Sequence, residues 1–140
     1  MSKSSGLAMT TLSVTDLIPT ARDIKNDITN FTFTTPRAVQ DITGLDKSAK
    51  ETLLLLADFT VTLNGVFNPA ATTSSHAVFS TVPASTSTSR ATIIVFGSTP
   101  AATMTATVNY TDYAITRAAS GELTWSAPGV LANGTAPIWS

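Results

Sequence analysis

The sequence predicts an all-β fold with one flanking helix, its strands packed as two sheets, and three observations predict it. Ser and Thr fill about 40 of the 140 positions, and Thr, branched at Cβ, suits a pleated strand better than a helix. Apolar residues alternate with Thr, Ser and Asn through several runs, as a sheet with one buried and one wet face requires. In the last third, TMTATVNYTDYAITR and GELTWSAP are joined by the polar turn AASG, which reads as a hairpin carrying no acid, base, nucleophile or metal-ligand set.

The first strand is expected over Leu7–Val14, ending at Thr15, Asp16 and Pro19, with residues 1–7 as an N-terminal arm. Arg22–Asp27 is the most charged segment and leads into a strand over Ile28–Thr35. There Phe31 and Phe33 share one face, Thr32 and Thr34 take the other, and Pro36 closes the run. Residues 43–51 read as an exposed polar loop. Ser48 to Glu51 also fits a capping box ahead of Leu53–Leu56, so a short helix is open to these residues. The alternation of Phe59, Val61 and Leu63 with Thr60, Thr62 and Asn64 favours a strand, and Thr52 to Leu63 then forms one long strand.

Asn64-Gly65 is a weak hairpin signal, because only Val66 and Phe67 precede Asn68-Pro69; Gly65 fits a bulge or strand end. PAATTSSHAVFSTV is the helix candidate, capped by Ser74 or Ser75, with Val78 and Val82 one turn apart and Pro83 stopping it. ASTSTS is a polar loop. Arg90–Gly97 contains four consecutive apolar residues, as a strand covered on both faces would. From Thr103 the apolar parity runs through Met104, Ala106, Val108 and Tyr110, then switches to Tyr113 and Ile115. A bulge or bend near Thr111 and Asp112 accounts for the switch. Residues 129–140 form a Gly/Pro-rich tail. The expected core is Phe59, Val61, Leu63, Val78, Phe79, Tyr113, Leu123 and Trp125.

Composition narrows the function. The length fits one domain over residues 1–140. Only 12% of residues are charged, the net charge is −1 and the pI is near 5.6, which argues against a nucleic-acid reader with a basic patch. Such a weakly charged surface is poorly protected against association, so the chain is expected either to self-assemble by design or to aggregate. There is no Cys, hence no disulfide frame, zinc knuckle or thiol nucleophile. The opening residues lack a signal-peptide core, and the longest apolar run, Leu53–Ala57, is far too short to span a membrane.

The candidate chemistry is thin. His76 is the only histidine, and Ser74 and Ser75 beside it lack a nucleophile elbow and an acid relay, so a structural role is expected. Asp23 and Asp27 offer too few oxygens for calcium and read as a solvated turn. Asp112 with Glu122 could mimic a glycosidase pair, but a bulge residue bonding its own backbone is the simpler reading. The Asn-x-Ser/Thr triplets at Asn30, Asn109 and Asn133 are expected by chance in so Thr-rich a chain. Trp125 and Trp139 could stack on sugars, but Trp125 fits the apolar face of its strand and Trp139 ends the chain, so core and interface roles are the simpler reading. No enzyme activity, cofactor or metal is expected.

The order of motifs carries a resemblance. ADFTVTLNGVFNPA, SSHAVFSTVP and YTDYAITRAASGELTWSAPGVLANGTAPIW, preceded by RDIKNDITNFTFTTPRAVQDITGLDKSAKETLLLLADF, resemble the major tail tube protein of long-tailed, non-contractile bacteriophages. The similarity spans roughly Ala8 to Trp139. Its most specific part is the ending, with Arg117, a turn at Ser120 and Gly121, Leu123 and Trp125, then Asn133-Gly134 and Pro137 to Trp139. The resemblance implies a two-sheet β sandwich or half-barrel with a flanking helix. It also implies a structural virion protein whose six-membered rings stack into a tube through which viral DNA is ejected.

The implied partners are other copies of the chain, a tape-measure protein in the lumen, tail terminator and tail-tip proteins, and viral DNA in transit without specific binding. The implied location is the virion tail, after synthesis in the bacterial host cytoplasm. The loop residues Leu45, Asp46, Lys47, Ser48, Lys50 and Glu51, with the two termini, are expected to contact neighbouring subunits. The rival reading is a secreted-type immunoglobulin-like or carbohydrate-binding adhesion module, also Thr-rich and all-β.

Overall fold

The computed structural model describes residues 9–15, 21–70, 74–83, 89–97, 101–132 and 134–140. Eleven strands follow in order: β1 (Met9–Thr15), β2 (Ala21–Asp23), β3 (Ile28–Thr34), β4 (Arg37–Asp41), β5 (Thr52–Ala57), β6 (Thr60–Val66), β7 (Arg90–Phe96), β8 (Ala102–Tyr110), β9 (Ala114–Arg117), β10 (Leu123–Leu131) and β11 (Ile138–Trp139). Among the described residues one helix, α1 (Ser75–Phe79), lies between β6 and β7, and a 3-10 turn spans Lys25–Asp27. This is the all-β architecture with a flanking helix that the sequence predicts.

Nine strands form one antiparallel sheet in the order β2-β1-β7-β8-β10-β6-β3, with β9 on β10 and β11 on β8. The sheet curls on itself. Phe31 and Phe33 of β3 reach Phe96 of β7, four places away in the strand order, at ring-centroid distances of 6.1 and 6.3 Å. The two expected layers are thus continuous through the ladder. The second sheet is a separate two-stranded ribbon, β4-β5.

The enclosed core runs from Leu12 and Val14 through Ile94, Met104 and Val108 to Val61, Leu63, Trp125 and Ala127, with Val78 and Phe79 from α1. Ser74 starts that helix, its side chain accepting from Ala77 N–H at 3.2 Å. The ring of Phe79 meets Tyr110 edge-on at 4.9 Å and lies 5.4 Å from Trp125, which fixes α1 against β8 and β10.

Four expectations are corrected. The single strand over Thr52–Leu63 is broken at Asp58 and Phe59: Asp58 accepts from Phe59 N–H at 2.7 Å, and its own N–H donates to Pro36 O at 2.9 Å. The chain there leaves the ribbon and drops Phe59 into the core. Residues 129–140 are not a tail, because β10 continues to Leu131 and β11 pairs Ile138 with Thr105 and Trp139 with Met104. Asp27 is not in a solvated turn but 7% exposed. Leu123 is 38% exposed, since it opens β10 opposite the exposed Arg117 where no layer covers it.

The parity switch is a bulge. Tyr110 pairs with Gly129 and Ala114 with Ser126, so four steps on one strand oppose three on the other. Gly65 lies inside β6, opposite the register shift of β3 between Ile28 and Asn30. A Cβ on it would sit 1.9 Å from Asp27 O and 2.9 Å from the Trp125 ring, so this close approach demands glycine.

Candidate self-assembly surface

The ribbon is built by polar clamps and displays apolar side chains. Arg37 spans its root, donating from Nε and Nη2 to Leu55 O at 3.0 and 2.6 Å. At the far end Asp41 Oδ1 accepts from the N–H and hydroxyl of Thr43 at 2.9 and 2.6 Å. Thr43 Oγ1 accepts from Glu51 N–H at 2.8 Å, and Ile42 N–H donates to Glu51 O at 3.0 Å. The Thr43 hydroxyl, and then its N–H, hold the Asp41 carboxyl below its ordinary pKa. Lys47 and Glu51 pair at 3.6 Å across the loop. These bonds order the loop backbone without any contribution from the body.

On this frame every residue from Arg37 to Asp41 and from Thr52 to Leu56 is exposed. Cross-strand register puts Val39 beside Leu54, and Gln40 beside Leu53. Leu54 and Leu56 therefore lie on one face and Leu53 and Leu55 on the other, so both faces are apolar. Leu56 is 86% exposed, and Leu45 at the loop tip is wholly so. Exposed apolar surface of this extent is unusual for a chain that stands alone. All six expected loop residues, Leu45, Asp46, Lys47, Ser48, Lys50 and Glu51, are exposed at this one end of the ribbon.

Most of the remaining candidates pack in or beside the core. Phe59, Val61, Leu63, Val78, Phe79 and Trp125 are buried, and Tyr113 packs half-buried at the core margin. Trp125 donates from Nε1 to Val66 O at 3.0 Å. Trp139 lies against Phe33 and Phe96 at 5.9 and 6.1 Å. His76 faces the Tyr113 hydroxyl at 3.3 Å and the Phe67 ring at 5.1 Å. Asp112 accepts from Tyr113 N–H at 2.8 Å, the backbone role expected of a bulge residue. Asn133 lies outside the described residues, as do residues 1–7.

One anchor was invisible in the sequence. Asp27 accepts from Ser75 N–H at 2.8 Å and from Asn68 Nδ2 at 3.0 Å, tying the entry of β3 to the start of α1 across 48 positions. Burial raises the Tyr113 phenol to about 12, with the Asp27 carboxylate adding to it. Burial drives Tyr110 higher still, against the opposing hydrogen bond to Thr92 at 2.8 Å. Among the described residues no three His, Cys, Asp or Glu side chains gather to hold a metal. No described helix is long and apolar enough to cross a membrane.

No protein-family model and no curated protein sequence matches the chain. Solved structures do. A chain of the virion of a native gene transfer agent particle superposes with a TM-score of 0.71 at 14% identity, covering 99% of both chains. A chain from the tail of an empty gene transfer agent particle, refined helically with C6 symmetry, superposes with a TM-score of 0.70 at 15% identity, again over 99% of both. At these identities the shared property is the fold, matched from end to end.

Proposed function

We propose that this chain is a structural virion protein that polymerises as stacked hexameric rings into a tail tube through which DNA is ejected. The observation that carries the proposal is the β4–β5 ribbon, an arm whose strands are clamped to each other, with exposed leucine on both faces. A monomer gains nothing from such an arm. A polymer gains an apolar joint, with one surface meeting a different surface on the next copy, closing by rotation within a ring and extending by stacking. The end-to-end fold likeness to chains of gene transfer agent particles, one of them from a tail refined with C6 symmetry, supports the same reading.

Within it, Leu45, Asp46, Lys47, Ser48, Lys50 and Glu51 contact the adjacent subunit or ring. The partners are other copies, a tape-measure protein, and terminator and tip proteins. DNA passes without specific binding, and the chain performs no catalysis. Against the adhesion-module alternative, Trp125 is buried, and Trp139, though 54% exposed, packs on Phe33 and Phe96 at the end of the sheet. Negative-stain microscopy of the purified chain tests the proposal: hollow rods or rings are expected, and dispersed monomers at high concentration would overturn it.

A further inference from the structure

We infer that the ribbon loop of one copy seats on the turn end of the β9–β10 hairpin of the next, with Leu45 against Ile115 and Leu123, Asp46 facing Arg117, and Lys50 facing Glu122. This rests on the tube reading and adds to it the surface that receives the ribbon.

Topology puts the two surfaces at opposite ends of the same strands. The ribbon leaves the body where Thr34 pairs with Thr60. The hairpin turn lies past the other end of β6, where Thr124 pairs with Val66 and Leu123 with Arg117. The seven residues of β6 set these ends about 20 Å apart at the usual rise of a strand. Within one chain both surfaces stay exposed. Between copies they form a head-to-tail contact, one surface on a different one, which repeats from copy to copy.

The receiving surface is core face without cover. Trp125 stands between Ile115 of β9 and Gly65 of β6 and is sealed by Phe79 at 5.4 Å. One step on in the same parity, Leu123 lies opposite Arg117, and its carbonyl accepts from Phe67 N–H at 3.1 Å. Ile115 is 46% exposed and Leu123 38%, whereas Trp125 and Ala127 on the same face of β10 are buried. Covering both side chains with an apolar partner removes wet hydrocarbon. The turn is held for the purpose: Ala118 N–H donates to Glu122 O at 2.8 Å, and Gly121 N–H to Ala118 O at 2.9 Å, with Gly121 at a φ of 98° that favours glycine.

Charge selects a second copy as the occupant. Lys47 and Glu51 of the loop pair with each other, which leaves Asp46 and Lys50 without an ion pair among the described residues. The hairpin presents the reciprocal set, exposed Arg117 and Glu122 on either side of the turn, also without ion pairs among the described residues. Each surface thus carries one acid and one base beside an exposed leucine. A partner of single sign would leave one charge of the hairpin facing its like, and the loop does not. Apolar contact holds such a joint, while the charges at its rim set the register.

Charge exchange tests the pairing. Micrographs of the unsubstituted chain are scored first; if it forms no tubes, the tube reading fails and this inference falls with it. Asp46→Arg and Arg117→Asp, both at exposed positions, are each expected to lower the sedimentable tube yield at least about 10-fold with the subunit's melting temperature unchanged. The chain carrying both substitutions should recover the yield to within about 2-fold. Full yield from Arg117→Asp alone, or no recovery in the double variant, overturns the inference and leaves the tube reading standing. Because the chain has no Cys, Leu45→Cys combined with Leu123→Cys gives a second readout. Mild oxidation of its tubes should produce a ladder of disulfide-linked subunits on a denaturing gel, and tubes without the ladder would overturn the pairing.

Discussion

Trp125 closes the core where β10, β6 and α1 meet, with its ring against Phe79 and Gly65 and its N–H on Val66 O. Trp125→Ala is expected to cost about 3 to 5 kcal/mol, read as a fall in the denaturant midpoint. Gly65→Ala forces a methyl into the Asp27 carbonyl and the Trp125 ring and should cost about 3 kcal/mol by overpacking, on the same assay. Tyr110 and Tyr113, the only tyrosines, both have phenol pKa values raised in the fold above the ordinary 10.0. Their contribution is complete below pH 10 and declines as pH rises through the folded values, so stability should fall between pH 10 and about 12. Tyrosinate absorbance should appear with unfolding and not at pH 10. Phe59, Val61 and Leu63 were legible from period-two alternation. Leu123 was misread because alternation names a face without saying whether another layer covers it. Asp27 was illegible because its partners lie 41 and 48 positions away.

At the scale of elements, the bulge at Thr111–Tyr113 could be read from parity, and the helix from Ser74 and Pro83. The ribbon could be read only in part. Its loop announced itself by polarity, but β4, RAVQD, shows no alternation, and the run Leu53–Leu56 gives the same signal as a strand buried on both faces. In the fold those leucines are exposed, a result that makes sense if other copies supply the cover. Deleting Leu45 to Ala49 is expected to abolish tubes while leaving the melting temperature of the subunit within a few degrees, because the loop is exposed and bonds only to itself and the ribbon. Normal tubes from that variant would refute the contact role. Leu56→Lys should likewise change subunit stability by no more than about 0.5 kcal/mol, measured by denaturation, yet prevent assembly.

For the whole molecule, the separation of surfaces matters most: an apolar arm at one end of β3 and β6 and an uncovered hairpin face at the other. Joints made by apolar burial are insensitive to screening, whereas ionic ones weaken once the Debye length shrinks to about 3 Å in 1 M salt. Tubes are therefore expected to persist in 1 M sodium chloride, as scored by sedimentation, and their dissolution would show that ion pairs hold them. The arm also meets its body through a narrow root, Pro36 entering and Asp58 leaving, joined by a backbone bond of 2.9 Å. Any turn of the arm relative to the body would fall on the dihedral angles of that root, ahead of Phe59 and the curled sheet behind it. In a tube assembled as proposed, curvature would be taken up at these couplings while each building block keeps its shape, as in a jointed hose.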